Sequence, residues 1–359
     1  MSQLFTPLHL RGTSVRNRLW VSPMCQYSSV DGMPNDWHHV HLAGFAAGGA
    51  GLVITEAAAI NPEGRISPQD VGIWDDAQRD AWRPIVAAIR ARGAVAGIQL
   101  AHAGRKASTS APFGGARGNV AEADGGWQTL APSAIAYPGL AEPRALTLAE
   151  IDTVVEDFAA AAVRAVDAGF DVLEVHAAHG YLLHQFLSPL TNERTDDYGG
   201  SLENRALLLR RVVRAVRAAV GDEPVIFVRF SATDWAPGGW DVDDTVAASR
   251  WVGEDGADLI DVSSGGLVAH QQITVGPGYQ VPFAARVRAE TGLLTAAVGE
   301  ITDASQAEGI LDQGEADAIL VGREWLRDPH FALRAITELD GAEAARGLWP
   351  EQYARAIRH

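Results

Sequence analysis

Residues 147–180 read TLAEIDTVVEDFAAAAVRAVDAGFDVLEVHAAHG, and this stretch sets the repeating unit of the chain. Thr147-Leu-Ala-Glu150 is a capping box, in which the Thr and Glu side chains each satisfy a free backbone N–H of the first turn. The amphipathic run that follows predicts a helix ending near Ala168, with Gly169 as its stop. VLEVH at 172–176 is different: short, almost wholly apolar and rich in β-branched residues, the signature of a strand buried on both faces. A helix feeding a strand buried on both faces is half of a parallel α/β repeat. His176, His179 and Tyr181 then crowd the end of that strand.

The same form recurs along the chain. Further buried strands are expected at 18–22, 52–56, 96–100, 225–229, 259–263, 293–298 and 318–322. Helical patterns lie between them, over 78–92, 201–220, 243–255, 282–290 and 303–312. Eight strand–helix alternations predict a single-domain (β/α)8 TIM barrel over 1–359. An open doubly wound sheet would need a phosphate loop after its first strand. The only candidate, Gly48-Gly-Ala-Gly51, precedes a strand and reads better as a tight turn. Residues 4–18 are expected to form a short N-terminal hairpin closing the barrel bottom. An insertion at 102–146, rich in Gly, Ala and Pro, follows the third strand. Connections this long in a compact domain are usually functional, so a lid-like cover over the barrel mouth is expected.

The chain has 359 residues, 29 basic and 45 acidic side chains, and a net charge of −16. That charge disfavours nucleic-acid and anionic-membrane partners. No apolar run approaches the roughly 20 residues needed to span a bilayer, and the start lacks a signal-peptide pattern; a cytoplasmic protein is expected. A single cysteine, Cys25, excludes an internal disulfide, a multi-cysteine zinc site and an all-cysteine iron–sulfur cluster.

In such a barrel the reacting groups gather at the C-terminal ends of the strands. Those ends carry Ser22-Pro23-Met24-Cys25-Gln26-Tyr27, Glu56 with Ala59, Gln99 with His102, His176 with His179 and Tyr181, Arg229, Ser263-Ser-Gly-Gly266, Gly299 and Gly322-Arg323. The glycine turns and Arg323 after the last three strands suit a phosphate; the ordinary alternative for Arg323 is a surface salt bridge. Gln99 offers donor and acceptor to the edge of a pyrimidine-like ring, and Arg229 could hold negative charge forming there. The ordinary alternative for Arg229 is an internal ion pair with Glu174 or Asp261. A phosphate site and a ring-edge site on one barrel suggest flavin mononucleotide (FMN). A metal-dependent hydrolase is the competing reading, but His39 and His41 open a helix rather than end a strand, and no other strand end supplies a ligand set.

The motifs NRLWVSPMCQYS, IQLAHAGRKA, GFDVLEVHAAHGYLLHQFLSPLTNERTDDYGGSLENR, VRFSATDW and AILVGREWLRDPHF span nearly the whole chain. In them the chain resembles the old yellow enzymes, most of all a bacterial short-chain branch that includes the xenobiotic reductases. The resemblance implies noncovalent FMN, NADPH or NADH as hydride donor, and reduction of activated C=C bonds in enones, enals, maleimides or nitro compounds. It implies that Ser22, Pro23, Met24, Cys25, Ala59, Gln99, Arg229, Gly299, Gly322 and Arg323 bind the cofactor. His176 and His179 would donate to the substrate oxygen, Tyr181 would supply the proton, and Tyr27 would be a further substrate contact. Cys25 would tune the flavin rather than act as a nucleophile. Many relatives have His–Asn where this chain has His176 and His179. A homodimer or homotetramer is implied, with Arg355 reaching a neighbouring site. His184 is read as structural. A dienoyl-CoA reductase type would need an iron–sulfur cluster, and a tRNA-acting flavin barrel a basic surface. A noncatalytic flavin-binding protein is opposed by the intact His176, His179 and Tyr181.

Overall fold

The computed structural model describes residues 1–113, 115 and 118–357. Gly114, Ala116 and Arg117 of the predicted insertion lie outside the described residues.

Eight strands form the barrel: β1 (Leu19–Val21), β2 (Leu52–Ala59), β3 (Val95–Ala101), β4 (Val172–Ala177), β5 (Val225–Ser231), β6 (Leu259–Ser263), β7 (Leu294–Ala297) and β8 (Ala318–Val321). They pair in sequence order, every neighbour parallel, and β8 closes on β1. Closure leaves no unpaired sheet edge. Outside run α1 (Asp36–Ala47), α2 (Asp76–Arg90), α3 (Leu148–Ala168), α4 (Leu202–Val220), α5 (Val242–Glu254), α6 (Val281–Thr291), α7 (Ala304–Asp312) and α8 (Phe331–Ala345). All eight predicted strands form; β2 and β5 run three and two residues past their predicted C-terminal ends, β3 begins one residue early and ends one late, β4 runs one on, and β1, β7 and β8 are shorter.

The 147–180 unit forms as its residues dictate. Thr147 N–H donates to Glu150 Oε2 at 2.8 Å, and Glu150 N–H donates back to Thr147 Oγ1 at 3.3 Å. Ile151, Val154, Val155, Phe158, Ala161, Ala162 and Ala165 form the buried stripe of α3. Gly169 ends the helix at φ +101°, a left-handed conformation that a side chain would strain.

Side chains alternate along a strand, so every second residue points into the barrel. The lowest interior layer is apolar. Leu52, Val95, Val172, Val225 and Leu259 pack there beneath Trp20 and Phe227, whose rings stack 5.8 Å apart. Leu8, Leu10 and Val15 of the hairpin Leu8–Leu10/Thr13–Val15 join this cluster and close the bottom, as predicted. Two residues further along, the interior turns polar with Gln99, Glu174, Arg229 and Asp261, all buried. Above them His176, Ser231 and Ser263 reach the C-terminal rim.

Candidate active site

β4 ends at Ala177 and the chain turns sharply. His179 sits in the left-handed region at φ +57°, followed by Gly180 at φ +73°. A non-glycine residue there is strained by roughly 1–3 kcal/mol and persists only where its surroundings hold it. The holding groups are visible. His179 N–H donates to Ser231 Oγ at 2.9 Å, and Ser231 Oγ donates to Gly265 O at 2.7 Å. His179 Nε2 lies 2.8 Å from Ser263 Oγ. The loops after β4 and β6 meet backbone to backbone: a Cβ on Gly180 would fall 2.4 Å from Gly266 O, and one on Gly266 would fall 2.7 Å from His179 Cα. Only glycine fits at either position. The turn brings His176 within 5.2 Å of His179 and 5.1 Å of Tyr181, ring centre to ring centre.

Burial, reinforced by the Arg229 charge, pushes both His176 and His179 well below the usual imidazole range. Both are therefore neutral at pH 7, each with one N–H to donate. Burial pushes the Tyr181 phenol well above its usual value, so it stays protonated.

Sequence reasoning missed Lys106. Its ammonium donates to His179 O at 2.8 Å and Gly266 O at 2.9 Å, and lies 5.1 Å over the Tyr181 ring. Burial, then the neighbouring Arg105, lowers Lys106 to about 8. Arg105 donates to Leu267 O at 2.8 Å and to Ile135 O at 3.1 Å. The insertion is thus fastened onto the β4 and β6 loops from its own first turn. The signal in the sequence was the GRK placed just past β3, two charges beside an apolar strand.

His184 is structural, as predicted. It is fully buried, accepts Gly180 N–H on Nδ1 at 3.0 Å, and places Nε2 2.9 Å from Asp234 Oδ1. Burial alone would raise the Asp234 carboxyl, but His184, Ser188 Oγ–H and Trp240 N–H together hold it below the usual range. Removing one member of such a buried pair typically costs about 3–5 kcal/mol, so Asp234→Ala should lower the unfolding free energy by that order in urea titration. A depressed carboxyl contributes stability above its unfolded pKa near 4 and loses it as pH falls further. The gap between wild type and Asp234→Ala should therefore narrow below about pH 4.

The remaining predicted residues fall into two groups around the rim. Ser22, Pro23, Met24, Gly299, Gly322 and Arg323 line one cavity of about 300 Å³. Arg323 is largely exposed and paired with Glu300, so the surface ion pair weighed against a phosphate role is present. Glu300 lines the cavity too and had no signal in the sequence. At the other end, Arg229 makes the internal ion pair weighed as its ordinary alternative. Its Nε lies 3.0 Å from Asp261 Oδ2, and its Nη2 donates to Ser22 Oγ at 3.2 Å. Gln99 Nε2 donates to Glu174 Oε1 at 2.7 Å. Ala59 is buried on β2. Cys25, Tyr27 and Tyr181 pack together against Ile66, Ala103 and Ala107. Burial, then Asp70 and Glu56, pushes the Cys25 thiol well up, against thiolate chemistry. Arg355 alone stands apart, exposed in the turn Glu351–Ala356. Among the described residues no group of three or more His, Cys, Asp or Glu could hold a metal ion.

The donor set suits FMN. A cation and glycine turns stand at one end for a phosphate, and an amide and a guanidinium at the other for a polar ring edge. Pro23, Met24 and Ala59 supply apolar contacts between.

Residues 3–341 match the description of the NADH:flavin oxidoreductase / NADH oxidase family. The chain belongs to that family. A Listeria welshimeri protein named NADPH dehydrogenase is 48% identical over 99% of both chains. Among solved structures, morphinone reductase is 31% identical, covers 94% of this chain and 90% of its own, and superposes with a TM-score of 0.79. An old yellow enzyme homologue from Zymomonas mobilis is 29% identical, covers 94% and 93%, and has a TM-score of 0.79. As a flavin oxidoreductase of this family, the protein uses noncovalent FMN with a nicotinamide donor. No helix among the described residues is long and apolar enough to cross a membrane.

Proposed function

We propose that the protein is an NADPH-dependent ene-reductase acting on α,β-unsaturated carbonyl and nitro compounds. One observation carries the reading. Ser263 lines the cavity with Gly322 and Arg323 and also bonds His179, so the phosphate end and the His–His–Tyr cluster belong to one continuous rim. When bound, FMN supplies two-electron hydride chemistry between the nicotinamide and the acceptor. Ser22, Pro23, Met24, Gly299, Gly322 and Arg323 would hold its phosphate end, Ala59 and Cys25 would stand beside the ring, and Gln99 and Arg229 would meet its polar edge.

The chain's own residues do the rest. A substrate carbonyl oxygen lies between His176 and His179, taking the place of Ser263 Oγ at His179 Nε2. Once Ser263 Oγ is displaced, negative charge growing on that oxygen meets two N–H donors held in place by the turn after β4. Both imidazoles are neutral, so they donate without giving up their protons. Tyr181, beside His176, delivers its phenol proton to the α-carbon, and Tyr27 lines the same pocket. The relatives' name favours NADPH as donor. The protein works in the cytoplasm as a homodimer or homotetramer, in which Arg355 enters a neighbouring site.

The purified protein is expected to be yellow and to release FMN on denaturation. A colourless preparation that takes up no FMN would contradict the reading.

A further inference from the structure

Beneath the Arg229–Ser22 contact the barrel holds a second acid–base assembly that the steps above leave unused. Glu174 and Asp261 are both fully buried. Gln99 donates to Glu174 Oε1 at 2.7 Å, and Arg229 Nε stands 3.0 Å from Asp261 Oδ2. Glu174 Oε2 and both Asp261 oxygens meet no protein N–H or hydroxyl donor in hydrogen-bond geometry. Two buried carboxyls beside one cation cannot both stay ionised. A single proton on the pair resolves this, because Arg229 stands against Asp261 while Glu174 has only the neutral Gln99 amide beside it. Burial raises both acids, and the Arg229 guanidinium, 3.0 Å from Asp261 Oδ2, favours the negative charge there, so the proton rests on Glu174. The result is one chain of contacts, Gln99–Glu174–Asp261–Arg229–Ser22, with Arg229 and Asp261 cancelling in charge.

We propose that Glu174 and Asp261 are positioning residues for the flavin: an acid–carboxylate pair that fixes the Gln99 amide and the Arg229 guanidinium, and whose one negative charge holds the flavin reduction potential down. The proposal rests on the placement of the ring edge against Gln99 and Arg229 given above. Gln99 spends one N–H on Glu174, which sets the direction of its amide and leaves its carbonyl and second N–H for the ring. Arg229 favours the extra electron density of a reduced ring, and Asp261 opposes it. In an interior of low dielectric such a charge acts strongly over these distances. A merely structural pair would stabilise the barrel and leave the potential where it was.

The test is a redox titration of the FMN holoenzyme against a reference dye, with FMN affinity from fluorescence quenching. Asp261→Asn should shift the midpoint potential to more positive values. Glu174→Gln, which can still donate to Asp261 and accept from Gln99, should keep the wild-type potential. Glu174→Leu should weaken FMN binding at least tenfold. An Asp261→Asn holoenzyme with the wild-type potential overturns the proposal. Arg229→Met separates the two levels. If it retains wild-type FMN affinity and potential, the ring placement itself is wrong. If it shifts while Asp261→Asn does not, only the pair is wrong. Should the variants not fold, infrared spectroscopy of the wild-type holoenzyme decides. A protonated-carboxyl band that persists above neutral pH and moves when dithionite reduces the flavin is expected. Asp70, raised by burial to about 7, loses its own band as pH rises through that value, so the band is read well above it. Absence of a reduction-sensitive band overturns the proposal.

Discussion

Tyr181→Phe should slow the oxidative half-reaction with cyclohexenone by about 100-fold or more, the usual contribution of a positioned acid, while NADPH reduces the flavin at nearly the wild-type rate. The change removes one hydroxyl and leaves the ring, which keeps its contacts with His176, the Ile66–Ala103–Ala107 cluster and the Lys106 ammonium. Burial holds the phenol protonated well beyond its usual range, so the wild-type step should show no loss at moderately alkaline pH from Tyr181 itself. Loss in the alkaline limb near pH 8 is instead expected from Lys106, which burial lowers to about 8 and whose charge fastens the β4 and β6 loops. Equal slowing of both half-reactions in Tyr181→Phe would remove Tyr181 from the proton-donor role.

Removing both imidazoles is the second large effect. Each aimed donor is typically worth about 3–4 kcal/mol in the transition state, so His176→Ala/His179→Ala should abolish measurable enone turnover and weaken phenol ligands, whose phenolate mimics the charged oxygen. Alanine at position 179, where φ is +57°, adds backbone strain to the loss of the ring. Asn tolerates that conformation far better and keeps an N–H donor. His176→Ala/His179→Asn should therefore recover part of the phenol affinity. Unchanged phenol binding in the double alanine variant would place the oxygen elsewhere.

The barrel was legible because each unit repeats one local code. In 147–180 the capping box, the Gly169 stop and the VLEVH run each specify a boundary without help from the rest of the chain. The rim residues were legible for a related reason: a closed barrel turns strand order into spatial order, so a polar residue ending a buried strand must face the mouth. What the sequence hid were contacts between units. Lys106 reaches His179 and Gly266 only because the insertion folds back across two other loops. The Glu300–Arg323 pair and the Glu174–Asp261 proton depend on side chains meeting across turns or across the barrel. No local pattern marks such pairs. The resemblance to the old yellow enzymes named the rim roles but was silent on these neighbours. The strands that began early or ran on, β2, β3, β4 and β5, did so because apolar and small residues beyond their predicted limits are buried as well, which periodicity alone does not reveal.

In the proposed reaction one rim takes hydride in from a nicotinamide and passes it to an activated C=C bond. Anaerobic double-mixing stopped-flow spectroscopy tests it directly. Mixing with NADPH should bleach the flavin absorbance, and mixing the reduced protein with cyclohexenone in the second shot should restore it, with one equivalent of cyclohexanone formed per flavin. Bleaching by NADPH without recovery across enone, maleimide and nitroalkene acceptors would contradict the account.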